Sequence, residues 1–293
     1  MKPSSSSLAV IIIGSGFGGQ CAAIQLKRMG IHDFKILERR SFLGGTWVQN
    51  TYPGAAVDVQ SPLYSFSFEP YDWSQMFAEQ DELKEYTEHV LEKYALHEHA
   101  ELNTTVVEAR WDDEDNRWHV KSDDGREFVG QFLINASGPL STPVVPPFKG
   151  KDSFEGASFH TNDWDHDYDY RDKRVAVIGS GASAAQVIPA IVDDVSDLYV
   201  FQRTPHWVLP RPDHRFSDLE RRMLRNPAVY QALRQAIYWG LETRVIGMKY
   251  SERMLKLVAQ TRSLRFLSQQ VMDPVLREKL TPDYTIGCKR IIL

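Results

Sequence analysis

The sequence predicts an α/β protein in which one strand, glycine turn and helix unit occurs twice, and three observations carry that expectation. The apolar run Leu8–Ile13 opens into Gly14-Ser15-Gly16-Phe17-Gly18-Gly19 and then a helical pattern through Cys21, Ala22, Ile24, Leu26 and Met29. Far along the chain, Arg174–Ile178 opens into Gly179-Ser180-Gly181-Ala182-Ser183-Ala184 and a helix through Ile191. Each helix leads to a second short apolar run, Phe34–Leu37 in one case and Leu198–Phe201 in the other. Strand, turn, helix and strand in that order make a parallel βαβ unit.

The bulk composition bounds what such a protein does. With 293 residues, 42% of them hydrophobic and 25% charged, the chain has the make-up of a soluble globular protein long enough for two domains. A formal net charge of -5 offers no basic footprint for nucleic acid or an anionic membrane, so small-molecule chemistry is expected. Cys21 and Cys288 are too distant in sequence for a CxxC redox pair and too few for a disulfide framework or a thiolate metal site, which fits a reducing, cytoplasmic setting. Leu8–Ile13 is too short to span a membrane. The acidic clusters at Asp112–Asn116 and Asp123-Asp124-Gly125 read as solvated turn tips, and no metal is expected.

Between Val106 and Ala136 the pattern changes to alternating strands, as in a small antiparallel meander. It ends at Ser137-Gly138-Pro139 and a proline-rich stretch through Pro147, which sets the expected boundaries: a first domain over 1–140, a linker over 141–170, and a second domain over 171–293. Within the second, residues 212–282 read as a helical insertion. Ser217 and Glu220 have capping-box spacing, Asn226-Pro227 restarts a helix, and Tyr230, Leu233, Ile237 and Leu241 recur on one face.

A glycine turn between strand and helix lets the backbone approach a pyrophosphate, whose charge meets free N–H groups and the helix dipole. Gly14, Gly16 and Gly19 fill the three positions of the first turn, and Glu38 stands at the end of the following strand, about 20 residues past the last glycine. A carboxylate there accepts hydrogen bonds from both ribose hydroxyls and repels a 2′-phosphate, as a Rossmann-like FAD site requires. The second turn has Gly179, Gly181 and Ala184, but its second strand runs into Gln202-Arg203-Thr204. A guanidinium at that place pairs with a 2′-phosphate and favours NADPH.

Further along, Phe154-Glu155-Gly156-Ala157-Ser158-Phe159-His160-Thr161-Asn162-Asp163-Trp164-Asp165 fits F-x-G-x-x-x-H-x-x-x-W-[P/D] at every defined position. On that string the chain resembles the Baeyer–Villiger monooxygenases, a branch of the class B flavin-containing monooxygenases. Trp164-Asp165 favours this branch over the N- and S-hydroxylating relatives. Gly44-Gly45-Thr46-Trp47, then Tyr52-Pro53-Gly54-Ala55-Ala56-Val57-Asp58 and Tyr64, look like the family segment beside the flavin ring, and Gly287-Cys288-Lys289-Arg290 resembles the segment with the family's catalytic arginine.

The resemblance implies FAD contacts from Thr46, Trp47, Asp58, Tyr64 and Val106, and NADP contacts from Ser180, Ala182, Ser183, Gln186, Thr204 and Lys289 as well as the turn and Arg203. It also implies the reaction: NADPH reduces FAD, the reduced flavin takes up dioxygen, and oxygen is inserted beside a ketone carbonyl to give an ester or lactone. Arg290 and Asp58 are the implied catalytic pair, the carboxylate orienting the guanidinium, while His160 is implied in NADPH handling and interdomain movement. The apolar ending Ile291-Ile292-Leu293 reads as the opening of a strand without a partner, as in a truncated chain whose family members run on for about 200 residues. Alternatives are an N- or S-hydroxylating flavin monooxygenase, an inactive nucleotide-binding fragment, and a disulfide reductase, against which the absence of CxxC argues.

Overall fold

A computed structural model describes residues 7–250 and 256–293. The chain forms two compact units, Met1–Thr51 with Gln80–Trp164, and Tyr52–Glu79 with Asp165–Leu293.

The first unit is built on a sheet of six strands: β1 (Leu8–Ile13), β2 (Phe34–Leu37), β3 (Ala100–Glu101), β4 (Val106–Asp112), β5 (Arg117–Ser122) and β6 (Glu127–Asn135), in spatial order β3-β2-β1-β6-β5-β4. The first four of that order run parallel, and β4, β5 and β6 pair antiparallel. The meander expected from the sequence is therefore the continuation of the nucleotide sheet, because β6 serves both ladders. Gly130 is the corner: it faces Leu8 on one side and Trp118 on the other, and a Cβ there would stand 2.9 Å from Ile11. Val120 packs with Ile11 and Leu37 in one buried cluster, with Val106 and Phe128 alongside.

Helix α1 (Phe17–Arg28) follows the glycine turn, and α3 (Gln80–Lys93) follows the short α2 (Thr46–Gln49). Leu83, Tyr86, Thr87, Val90 and Leu91 are the buried stripe of α3, the i, i+3, i+4, i+7 pattern of a helix with one face in the core. Phe17 meets Tyr86 edge to face, with ring centroids 5.9 Å apart.

In the second unit β7 (Arg174–Ile178) and β8 (Asp197–Phe201) pair in parallel, joined by α4 (Ala182–Ile191), which buries Ala184, Val187 and Ile191. Helices α5 (Asp218–Leu224), α6 (Pro227–Tyr250), α7 (Thr261–Gln270) and α8 (Pro274–Leu280) follow. The expected capping box is present: Ser217 and Glu220 bond reciprocally at the start of α5. Asn226 Oδ1 accepts the backbone N–H of Ala228 at 2.9 Å, so Asn226-Pro227 does start α6.

Residues 52–79 have no long helix or strand, yet they pack within this unit. The Tyr230 hydroxyl of α6 accepts from Trp73 Nε1 at 3.2 Å and lies 3.3 Å from Ser65 Oγ, and Arg221 and Arg225 both pair with Asp72. The ending is not without a partner, contrary to expectation. Ile292 bridges Val208 in parallel, donating to Trp207 O and accepting from Leu209 N–H, both at 2.9 Å. Trp207, anchored by its indole N–H on Tyr284 O at 2.9 Å, lines with Ile292, Ile188, Leu264 and Leu267 a cavity of about 200 Å³.

Candidate functional site

The first glycine turn is closed by the chain's own backbone. Gly14 has φ +97°, and a Cβ on it would stand 2.6 Å from Ala136 O; a Cβ on Gly19 would be 1.9 Å from Gly14 O. Gly45, at φ +65°, lies on Gly16 so closely that its Cβ would be 2.7 Å from the Gly16 Cα. The turn leaves α1 without a side-chain cap at Gly16, so the N–H groups of its first turn are not used by a capping side chain.

Glu38 is buried at the end of β2. Its Oε2 accepts from the Ser15 backbone N–H at 3.0 Å and the Ser15 hydroxyl at 2.6 Å, and its Oε1 accepts from Arg40 N–H at 2.9 Å. A carboxylate offers about four acceptor positions, and three are filled here. The fourth, on Oε1, is left for a further donor. Ser15 sits at an undefined position of the glycine string, and sequence reasoning missed it. It also accepts from Gly44 N–H at 3.2 Å and thereby ties the turn to the Gly44-Gly45 segment.

Thr46 and Trp47 lie in α2, where Trp47 O accepts from Gln80 Nε2 at 2.6 Å, and Val106 opens β4 opposite Ser122. The fingerprint string forms a loop in the same unit. The ring of Phe154 lies over Gly156, where a Cβ would come within 2.5 Å of it, and Phe159 meets Trp164 edge to face at 5.0 Å. His160 caps a short 3₁₀ turn: its Nδ1 accepts Asn162 N–H at 3.0 Å and so carries no proton there. Asn162, which no motif singled out, is buried and donates to Asn50 Oδ1 at 2.9 Å while accepting from Gln49 Nε2 at 2.5 Å. Asp165 accepts the Asp167 N–H at 3.0 Å. On the hairpin tip, Asp112, Asp115 and His119 bring their ligand atoms within 4.8 Å of one another, but Arg110 bonds Asp112 at 2.8 Å and His119 is taken by Asp115 at 2.9 Å.

The second glycine turn is open. Gly179 has φ +121°, and neither it nor Gly181 would bring a Cβ within 4 Å of another group. Gly181 caps α4 without a side-chain bond, and Ala184 takes the third, buried position. Ser180 Oγ donates to Thr204 O at 3.4 Å, holding the turn to the strand end where Arg203 stands exposed.

Asp58 and Arg290, 232 residues apart in sequence, form an ion pair in this unit through Arg290 Nη2 and Asp58 Oδ2. Arg290 is half exposed and Asp58 less so. Lys289 sits over the Tyr284 ring, Nζ 4.7 Å from its centroid. Tyr64 lies half-buried in the same unit, its N–H on Gln60 O at 2.9 Å. Gln186 of α4 is engaged at both ends of its amide, donating to Ala56 O and accepting from the Tyr52 hydroxyl, both at 2.8 Å. Burial pushes the Tyr52 phenol up from its ordinary pKa, against an opposing hydrogen bond from Ser183.

Comparisons with known proteins agree with these features. The family described as pyridine nucleotide-disulphide oxidoreductase matches residues 11–231. A Baeyer-Villiger monooxygenase of Pseudomonas aeruginosa is 46% identical over 286 residues, which are 97% of this chain and 54% of that protein. Among solved structures, an oxidized steroid monooxygenase bound to NADP superposes with a TM-score of 0.87 at 32% identity, covering 98% of this chain and 62% of that one. OTEMO in complex with FAD and NADP gives a TM-score of 0.86 at 29% identity, covering 97% and 62%. The chain spans about half the length of the curated relatives it matches. Among the described residues, no helix is long and apolar enough to cross a membrane.

Proposed function

Because the chain belongs to the pyridine nucleotide-disulphide oxidoreductase family, whose description covers its two glycine turns, we propose that it carries the FAD and NADPH sites of a cytoplasmic Baeyer–Villiger monooxygenase acting on a ketone and dioxygen. The observation that carries the reading is the Asp58–Arg290 pair, formed in the same unit as the second glycine turn. The disulphide chemistry in the family's description has no counterpart here, since Cys21 and Cys288 are the chain's two cysteines and both are free.

The residues fit both cofactors. The uncapped start of α1 and the bare backbone at Gly14, Gly16 and Gly19 suit the FAD pyrophosphate, with Oε1 of Glu38 accepting a ribose hydroxyl. Thr46, Trp47, Val106, Asp58 and Tyr64 are the further FAD contacts in this reading. The open turn at Gly179, Ser180 and Gly181, with Ala182 and Ser183 opening α4, suits a second dinucleotide. Arg203, with Thr204 beside it and Lys289 as a second cation, meets the 2′-phosphate. When bound, the two cofactors supply hydride transfer and the activation of dioxygen.

What this chain supplies to the reaction is fixed charge. Asp58 holds one face of the Arg290 guanidinium, so its remaining N–H donors are aimed before negative charge develops on oxygen. His160 orders the fingerprint loop through Nδ1, and in this reading it serves NADPH handling and interdomain movement.

The test is Arg290→Ala in the oxygenating protein, followed by stopped-flow absorbance. Flavin reduction by NADPH is expected to stay within about tenfold of the wild type, while ester formation falls by at least about a hundredfold, the scale of losing one preorganised oxyanion donor. Equal loss of both steps would make the arginine a nicotinamide ligand. Oxygen delivered to an amine or thioether in place of a cyclic ketone would move the protein to the hydroxylating branch.

A further inference from the structure

The Asp58–Arg290 pair raises a question of support: residues 52–58 have no regular structure, and a carboxylate on an irregular segment cannot aim a half-exposed guanidinium unless the segment is fixed. The segment is fixed to α4. Gly54, at φ +79°, lies directly on that helix, where a Cβ would stand 2.7 Å from Gln186 O and 3.0 Å from Ala190 Cβ. Two residues to either side the polar contacts close: the Tyr52 hydroxyl donates to Gln186 Oε1, and Gln186 Nε2 donates to Ala56 O. The amide orientation is decided by its partners, because Ala56 O only accepts and so must face the NH₂. The charges of Arg290 and Asp58 both act on the same phenol, in opposite directions.

We propose that Tyr52 and Gln186 are positioning residues, a part-buried strut that holds Asp58, and through it Arg290, in register with the helix of the second glycine turn. The inference rests on the functional reading above for its purpose, but its geometry concerns only this unit. In it Gln186 is a link within the unit, one N–H of its amide given to Ala56 O and one lone pair to the Tyr52 hydroxyl.

The test reads the Arg290 guanidinium in the chain itself by nitrogen-15 NMR of arginine Nε–H groups, assigned through the resonance lost in Arg290→Lys. In the wild type a shifted, slowly exchanging Arg290 signal is expected. Tyr52→Phe, which deletes one oxygen, and Gln186→Met, which keeps the volume, should each move that signal to the position of solvated arginine, the end point that Asp58→Asn also gives. Arg221, paired with Asp72 in the same unit, is the internal control and should stay in place. An unmoved Arg290 signal in both variants overturns the strut. So does joint movement of Arg290 and Arg221, which would mean general loosening. A wild-type chain that fails to bind NADP⁺ would sink the functional reading instead, and the NMR result would stand apart from it.

Discussion

The two glycine turns have nearly the same string and opposite physical reasons for it. In the first, glycine is demanded by the protein: added Cβ atoms at Gly14, Gly19 and Gly45 would overlap backbone atoms of Ala136, Gly14 and Gly16. In the second, only Gly179 is demanded, by its positive φ, and the place a Cβ on Gly181 would take is open. Backbone closure makes the first turn a rigid cradle, whereas the second is a clearing whose use waits for a ligand. The closing groups differ as well, a buried Glu38 on one strand end and an exposed Arg203 on the other.

The largest effect that would break this contrast comes from placing the same methyl group in each turn. Gly19→Ala cannot be accommodated without moving β1 or α1, so stability should fall by about 3 kcal/mol or more and flavin binding with it. Gly181→Ala has ordinary extended dihedrals and empty surroundings, so stability should change by less than about 1 kcal/mol while NADP⁺ affinity drops. Urea unfolding of the two variants checks this, and equal losses would erase the distinction.

A smaller effect sharpens it at the strand ends. Glu38→Gln replaces an acceptor-only group by one whose NH₂ must face the Ser15 or Arg40 N–H donors. FAD affinity should fall by about tenfold or more, the scale of one charge-assisted hydrogen bond. Fluorescence titration with FAD reads it, and unchanged affinity would remove Glu38 from the ribose.

The smallest effect concerns how the second unit is braced at its periphery, by side-chain pairs rather than backbone closure. Burial pushes the Asp72 carboxyl up, but the hydrogen bonds and charges of Arg221 and Arg225 outweigh it and hold the group below the usual carboxylate range. A depressed folded-state pKa contributes stability above the unfolded value, about 3.9, and that contribution is lost as pH falls through the folded value. The stability gap between the wild type and Asp72→Asn should therefore be modest near neutrality and close below about pH 4. A gap that does not shrink as pH falls below about 4 would mean that the carboxylate charge is not what braces α5.

Much of this was legible because it is local. Leu8–Ile13 and Arg174–Ile178 announce strands by short runs rich in Val and Ile, the glycines that follow announce turns, and Ser217 with Glu220 announces a cap at fixed spacing. What escaped depends on tertiary meetings. Residues 52–79 have no periodicity, so nothing in their sequence says that they pack with α4 and α6. Ser15 and Asn162 are ordinary polar residues at undefined motif positions, and their roles arise only when Glu38 and Gln49 arrive from elsewhere in the chain. The partner of Ile292 is Val208, hidden in a stretch with Pro205 and Pro210 that does not read as a strand.

The contrast between the turns is tested most directly by titrating the chain with NADP⁺ and NAD⁺ in a calorimeter, at low and moderate salt, for the wild type and Arg203→Ala. The account predicts that the wild type prefers NADP⁺ by at least about tenfold, as a charge-assisted pair supplies. The preference should shrink with salt and largely vanish in Arg203→Ala, with little change in NAD⁺ affinity. Equal affinities in the wild type, or a preference that survives loss of Arg203, would contradict it.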